Sequence, residues 1–107
     1  MMEVETMMQG DSYGLSIEIL NEQSVVVTDQ DVEDVEVTIG ALRKTYSDGG
    51  VTFSNNKWVV PLTQEETFKF PAARIKAQVR VRWPGGNVEG VDLGLVNVRE
   101  SLSKEVL

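Results

Sequence analysis

The chain has 107 residues, is 41% hydrophobic and 25% charged, carries a net charge of −7 at pH 7, and contains neither cysteine nor histidine. These values are typical of one globular domain, and they exclude disulfides, thiolate chemistry and histidine-based acid–base catalysis. The acidic balance argues against nucleic acid and anionic membrane surfaces as binding partners. No apolar run reaches the roughly 20 residues of a membrane span. The acidic N-terminus is not expected to be a signal peptide.

The first third of the chain carries short alternating segments separated by turn residues. Residues 1–9 predict either an edge strand or a mobile arm, and Gly10–Gly14 predicts a turn or bulge. Leu15–Ile19 alternates apolar with polar side chains, which is the period of a half-buried strand. A loop follows, with a short apolar piece at Val25–Val27.

The middle of the chain predicts further strands and a tight hairpin. Val35–Ile39 again alternates apolar with polar side chains. Gly40 breaks this strand, and the sequence LRKTY after it can continue the strand beyond a bend or bulge. Asn55 and Asn56 separate two apolar segments and tolerate the left-handed backbone that a two-residue hairpin turn needs.

The sequence PLTQEETFKF carries the only helical signal. Thr63 and Glu66 have the spacing of a capping box, in which the threonine side chain accepts from the third helical N–H and the glutamate reaches back to the cap N–H. Pro71 follows soon after, so we expect one or two helical turns near residues 63–68. Glu65 and Glu66 are adjacent and point apart on a regular element, which argues against the paired carboxylates of glycoside hydrolysis.

The clearest strand, RIKAQVRVRW, puts apolar side chains on one face and polar side chains on the other. The turn Pro84–Asn87 and the return segment VEGVDLGLVNV complete a hairpin. A shift of one position in the apolar pattern predicts a bulge near Gly94. Residues 99–107 predict a tail that packs either on this domain or on a neighbour. The polar face of the strand, called here the polar stripe, consists of Lys76, Gln78, Arg80 and Arg82.

The polar stripe is the candidate interaction face. Its simplest interpretation is an ordinary solvent face of a strand. The functional interpretation is a subunit-docking face, because arginine is enriched at interfaces and a basic stripe in an acidic protein can meet an acidic patch on an identical neighbour. Trp58 and Trp83 occupy apolar-face positions, which favours the core over a carbohydrate-binding platform. No catalytic, cofactor-binding or metal-binding residue is predicted.

The acidic run Asp29–Glu36 suggests a calcium loop by composition alone. An EF-hand loop that started at Asp29 would need glycine at its sixth position and a bidentate carboxylate at its twelfth, but this chain has Asp34 and Gly40 there. The run therefore predicts a solvated loop leading into a strand, with a weak adventitious cation site as the alternative. The letters GDS near the N-terminus cannot form a serine nucleophile of the usual kind, because the chain offers no histidine base.

Taken in order, several segments carry a family resemblance: GDSYGLSIEI, VEDVEVTIG, KWVVPLTQEET, AQVRVRWPGGNVEGVDLGLVNV and ESLSKEVL. They resemble small β-sandwich structural proteins of tailed phages and prophages of Gram-positive bacteria, and the N-terminal domain of phage baseplate upper proteins. The resemblance spans Gly10 to Leu107. It implies an assembly role in the virion, in the tail or baseplate, without catalysis. A full adaptor role is not expected, because this sequence has no long C-terminal stalk or receptor-binding extension.

We therefore expect one domain over residues 1–107, an all-β, antiparallel, immunoglobulin-like sandwich with one short helical turn. The expected function is that of a non-enzymatic phage or prophage structural protein that binds other virion proteins or itself as a homo-oligomer. It would reside in the host cytoplasm during assembly and then in the virion. Neither a cofactor, nor nucleic acid, nor a membrane is an expected partner. The alternative is a carbohydrate- or ligand-binding β-sandwich module, and a hydrolase ranks last.

Overall fold

A computed structural model describes the backbone of residues 3–107 and the side chains from residue 5 onward, so Met1 and Met2 lie outside the described residues. Two packed sheets and one short helix confirm the predicted all-β sandwich. The α-helix has five residues, and no helix in the described part of the chain is long and apolar enough to cross a bilayer. The elements are β1 (Glu3–Met8), β2 (Tyr13–Ile17), β3 (Asp34–Ile39), β4 (Leu42–Thr45), β5 (Thr52–Ser54), β6 (Lys57–Leu62), α1 (Gln64–Phe68), β7 (Arg74–Arg82) and β8 (Val88–Arg99).

The larger sheet has the strand order β1-β8-β7-β3-β4, and the smaller sheet has the order β2-β6-β5. Within the described residues the pairings are antiparallel, except that β1 runs parallel to β8. Residues 1–9 were expected to form an edge strand or a mobile arm, and the described part of them is an edge strand. The chain passes from the larger to the smaller sheet between β1 and β2, and again between β4 and β5.

The core lies between the two sheets and follows the two-residue period of the strands. On β3 the predicted inward residues Val35, Val37 and Ile39 are buried, and on β7 the buried residues include Val79 and Val81. The intervening polar side chains point away from the smaller sheet. Apolar burial of this kind contributes roughly 1.5–3 kcal/mol per large side chain, so these positions define which face of each strand is inside.

Trp58 lies at the centre of the core and is completely buried. Its indole Nε1–H donates to the Val27 carbonyl at 3.0 Å, which satisfies its one polar atom. The Tyr46 ring meets it edge-on, with ring centroids 5.3 Å apart, and the Phe53 ring is tilted against it at 4.8 Å. The predicted core position of Trp58 is confirmed, whereas Trp83 is only partly buried.

Of two turns predicted from the sequence, one is confirmed and the other is wrong. Asn55 and Asn56 have φ values of 52° and 62° and join β5 to β6 as the expected two-residue hairpin. Gly40, however, does not lead into a continuation of β3. With φ of 58° it forms a two-residue turn with Ala41, and β4 returns antiparallel to β3. A glycine that breaks a strand pattern permits a full reversal as readily as a bend, so the alternation alone could not distinguish the two.

The bulge predicted near Gly94 is present in β8. Gln78 pairs with Asp92 and Ala77 pairs with Gly94, so Leu93 has no opposite residue on β7. Gly94 has a φ of 124°, a conformation that a residue with a side chain rarely adopts. The extra residue moves the apolar side chains of β8 by one position, as the sequence pattern indicated.

Candidate functional site

The polar stripe lies on β7, near the middle of the larger sheet, and its four side chains are exposed on the face away from the smaller sheet. This position follows from the alternation of β7, whose other face enters the core. The structure therefore brings the four predicted residues together on one surface.

Glu36 on β3 binds the stripe at Arg80. The two residues are directly opposite each other in the β3–β7 pairing, and the Arg80 Nε–H donates to Glu36 Oε1 at 2.8 Å. Arg43 on β4 makes a second ion pair with the same carboxylate through its Nε. The Glu36 side chain is only 13% exposed between these two cations. The hydrogen bond from Arg80, supported by that from Arg43, outweighs burial and lowers the pKa of the Glu36 carboxyl.

The neighbouring stripe residues also have partners in the same chain. Arg82 lies 3.4 Å from the Glu33 carboxylate, measured from Nε to Oε2, and Gln78 Nε2 donates to Asp92 Oδ1 at 2.7 Å. Lys76 makes no hydrogen bond or ion pair with the described residues. The polar stripe was expected to bind acidic groups on a neighbouring subunit, but most of its acidic partners lie in the same chain. A shallow depression of about 180 Å³ on this face is lined by Asp34, Glu36, Arg43, Arg80, Arg82 and Val88.

The PLTQEETFKF segment forms the predicted capped helix. Thr63 is the N-cap: its Oγ1 accepts from the Glu66 N–H at 3.2 Å, and Glu66 Oε1 accepts from the Thr63 N–H at 2.8 Å. Lys44 donates to the same Glu66 oxygen at 2.9 Å. Burial acts to raise the pKa of Glu66, but the bond from the Thr63 N–H and the Lys44 ammonium outweigh it and lower the pKa. Glu65 is exposed and takes no part in this group, so the two glutamates do not face a common point.

Thr67 anchors the helix to the β1–β2 connection. Its buried hydroxyl accepts from the Gly10 N–H at 2.9 Å and donates to the Asp11 carbonyl at 2.8 Å. The Phe68 ring lies directly under Gly10, where a Cβ would come within 2.5 Å of Cζ. Gly10 has φ of 86°, so both its backbone conformation and its surroundings favour glycine.

The acidic run Asp29–Glu36 uses its carboxylates for local hydrogen bonds. Asp29 accepts from the Tyr46 hydroxyl, and Asp31 caps the turn that starts at Thr28. Asp34 accepts from the backbone N–H and the hydroxyl of Ser47. The described residues contain no group of three or more carboxylates placed to hold a metal ion. The arrangement fixes the loop against the β4–β5 turn.

Residues 100–107 lie against α1 and the β1–β2 connection. The Gln64 side chain pairs with the Leu107 backbone, donating from Nε2 to the carbonyl at 3.0 Å and accepting at Oε1 from the N–H at 2.7 Å. Gln9 Oε1 accepts from the Ser101 N–H and from Lys104 Nζ. These contacts are polar, and the side chains of Leu102 and Leu107 are fully exposed. The tail was predicted to pack either on this domain or on a neighbour, and the structure shows contacts with this domain.

A groove beside the β7–β8 hairpin was missed by the sequence interpretation. Val91 lies opposite the buried Val79 and faces inward, but it is 60% exposed because the smaller sheet does not cover it. Leu20, after β2, is 50% exposed across the groove from it. The sequence signal that could have revealed the groove was the length of the return segment after Pro84–Asn87. This segment forms the 12-residue β8, which is twice as long as the six-residue β1 beside it.

Comparisons of the chain with protein-family models, with curated proteins and with solved structures gave no significant match.

Proposed function

We propose that this protein is a non-enzymatic assembly module that works by protein–protein contact, and that its setting is the virion of a tailed phage or prophage, in the tail or baseplate. The virion setting is supported by the resemblance described above. The contact role is supported by one structural observation, the apolar side chains displayed on residues 100–107.

The backbone of this segment is held in place while its leucines contact solvent. Gln64 and Gln9 bind the segment through hydrogen bonds, and Leu102 remains 98% exposed. Burying a leucine of this exposure contributes roughly 1.5–3 kcal/mol. Because the intramolecular hydrogen bonds already restrict the segment, less conformational entropy is lost when a neighbouring subunit covers Leu102 and Leu107. The arrangement is thus favourable for docking to an identical neighbour or to another virion protein.

Native mass spectrometry and sedimentation velocity over a wide range of protein concentration test this proposal. We expect the parent protein to form a discrete oligomer, and we expect the double variant Leu102→Ser, Leu107→Ser to shift toward the monomer. Val25→Ser is the matched control, because Val25 is also an exposed apolar residue but lies in the β2–β3 loop. A parent protein that stays monomeric at high concentration and binds no virion protein would contradict the proposal, as would equal effects of the control and the double variant.

A further inference from the structure

Among the described residues, the first half of β8 is an open edge of the larger sheet. β8 pairs with β7 from Val88 to Asn97, but its pairing with β1 begins only at Leu95. Along Val88–Leu93 the main-chain groups on the β1 side have no hydrogen-bond partner among the described residues. An unpaired strand edge of this kind is a template for an additional strand.

An apolar groove of about 270 Å³ lies beside this edge. Leu20 forms one wall and Val91 the other, and both side chains are at least half exposed. Trp83 lines the groove, and its Nε1–H is buried without a hydrogen-bond acceptor among the described residues. A buried, unpaired indole N–H is rare, because such a donor normally finds an acceptor. The lining also includes Ile19, Val79, Val81, Glu89 and Gly90.

The charges around the edge indicate the chemistry of its partner. Glu89 and Val91 share the groove face of β8, and Asp92 lies on the opposite face. The groove continues past Trp83 to Glu22. A strand with an apolar residue opposite Val91 and a basic residue at the next position, opposite Asp92, would complement both faces of β8, since apolar pairs and opposite charges stabilise neighbouring positions on a sheet. A second copy of the chain fits less well, because each copy brings a net charge of −7.

We propose that Val88–Leu93 is a strand-addition site for an extended segment of another protein that alternates basic and apolar residues. The main chain of that segment pairs with β8, and its apolar side chains enter the groove between Leu20 and Val91. This inference does not rest on the oligomer contact of residues 100–107.

Fluorescence anisotropy with three labelled, end-capped hexapeptides tests the proposal. The first alternates lysine and valine, the second alternates glutamate and valine, and the third is the lysine–valine peptide with a methylated backbone. We expect only the first to bind, because the second has the wrong charge and the third cannot form ladder hydrogen bonds. Using Leu102→Ser, Leu107→Ser as the background separates this binding from oligomer formation.

Variants of the protein locate the site. Val91→Lys places a positive charge on the groove face and should weaken binding of the lysine–valine peptide roughly tenfold or more, the equivalent of about 1.4 kcal/mol. Thr6→Lys is the matched control, since it adds the same charge at an exposed position on β1, and it should leave binding within about twofold.

Several results would overturn the proposal. Equal binding of the lysine and glutamate peptides would contradict the charge argument, and equal binding of the methylated peptide would contradict strand addition. A change of oligomeric state in Val91→Lys would assign the edge to a second copy. Saccharide binding that quenches Trp83 fluorescence, without peptide binding, would assign the groove to a sugar. Should Val91→Lys fail to fold, the methylated peptide and the glutamate–valine peptide still decide the question.

Discussion

The anchoring of α1 by Thr67 leads to a quantitative prediction. Replacing Thr67 with valine keeps the shape of the side chain and removes only the hydroxyl. The Gly10 N–H then loses its acceptor and the Asp11 carbonyl loses its donor, in a place where Thr67 has no exposed surface. A buried polar group left without a partner costs about 1–3 kcal/mol. Because Gly10 and Asp11 are themselves only partly buried and water can reach them, we expect Thr67→Val to lower the free energy of unfolding by about 2–4 kcal/mol.

This loss would be a large fraction of the roughly 5–15 kcal/mol that a domain of this size has in total. Equilibrium unfolding in urea, followed by tryptophan fluorescence, measures it directly. Thr67→Ser is the matched control, because it keeps the hydroxyl and removes one methyl group, for an expected loss of about 1 kcal/mol. If Thr67→Val proved as stable as the parent, or more stable than Thr67→Ser, the hydroxyl would not be what holds the helix to the β1–β2 connection.

Three further predictions follow from the same structure. Gly10→Ala should cost about 2–4 kcal/mol of unfolding free energy in urea, because of its positive φ and the contact with Phe68, and an unchanged midpoint would contradict this. Because the pKa of Glu36 is lower in the folded than in the unfolded chain, its carboxylate stabilises the fold above the unfolded-state pKa, and this stability is lost as pH falls through the folded-state pKa. Glu36→Gln should therefore make the free energy of unfolding depend less on pH below about pH 4.5. An unchanged pH dependence would refute the role of Arg80. Burial and a hydrogen bond to Glu5 raise the pKa of Tyr13 to about 12, and burial also raises the pKa of Tyr46. Ultraviolet titration of Tyr13→Phe should therefore lose the ionisation near pH 12 and keep that of Tyr46, and the parent should lose stability as pH rises from 10 to 12. A titration curve in which Tyr13→Phe removes an ionisation at the ordinary pKa would disprove it.

The strands, the hairpin turns and the helix cap were predictable because their signals are local. Alternation over a few residues decides which face of β3 and β7 is inside, and the paired asparagines suit a two-residue turn. The capping box needs only Thr63 and Glu66, three positions apart. Each of these features is determined within about ten residues of sequence, so tertiary structure had little opportunity to override them.

The pairings between distant segments were not predictable in the same way. Glu36 lies 44 positions before Arg80, and only the β3–β7 register brings them opposite each other. The parallel contact of β1 with β8 joins the two ends of the chain and depends on where the β1–β2 connection crosses between the sheets. Neither pairing leaves a periodic trace, since a side chain on an outer face alternates in the same manner whatever lies beside it.

These pairings change the interpretation of the candidate surfaces. A basic stripe suggests a free docking face only while its counter-charges are unknown, and with Glu36 between Arg80 and Arg43 much of its charge is already balanced within the sheet. A partner would have to displace or share those ion pairs, which are partly exposed and individually contribute little. At Val88–Leu93 no intramolecular bond has to be broken among the described residues before a strand is added. The edge of β8 is therefore a more favourable place for a partner than the stripe, because β8 extends beyond the described part of β1.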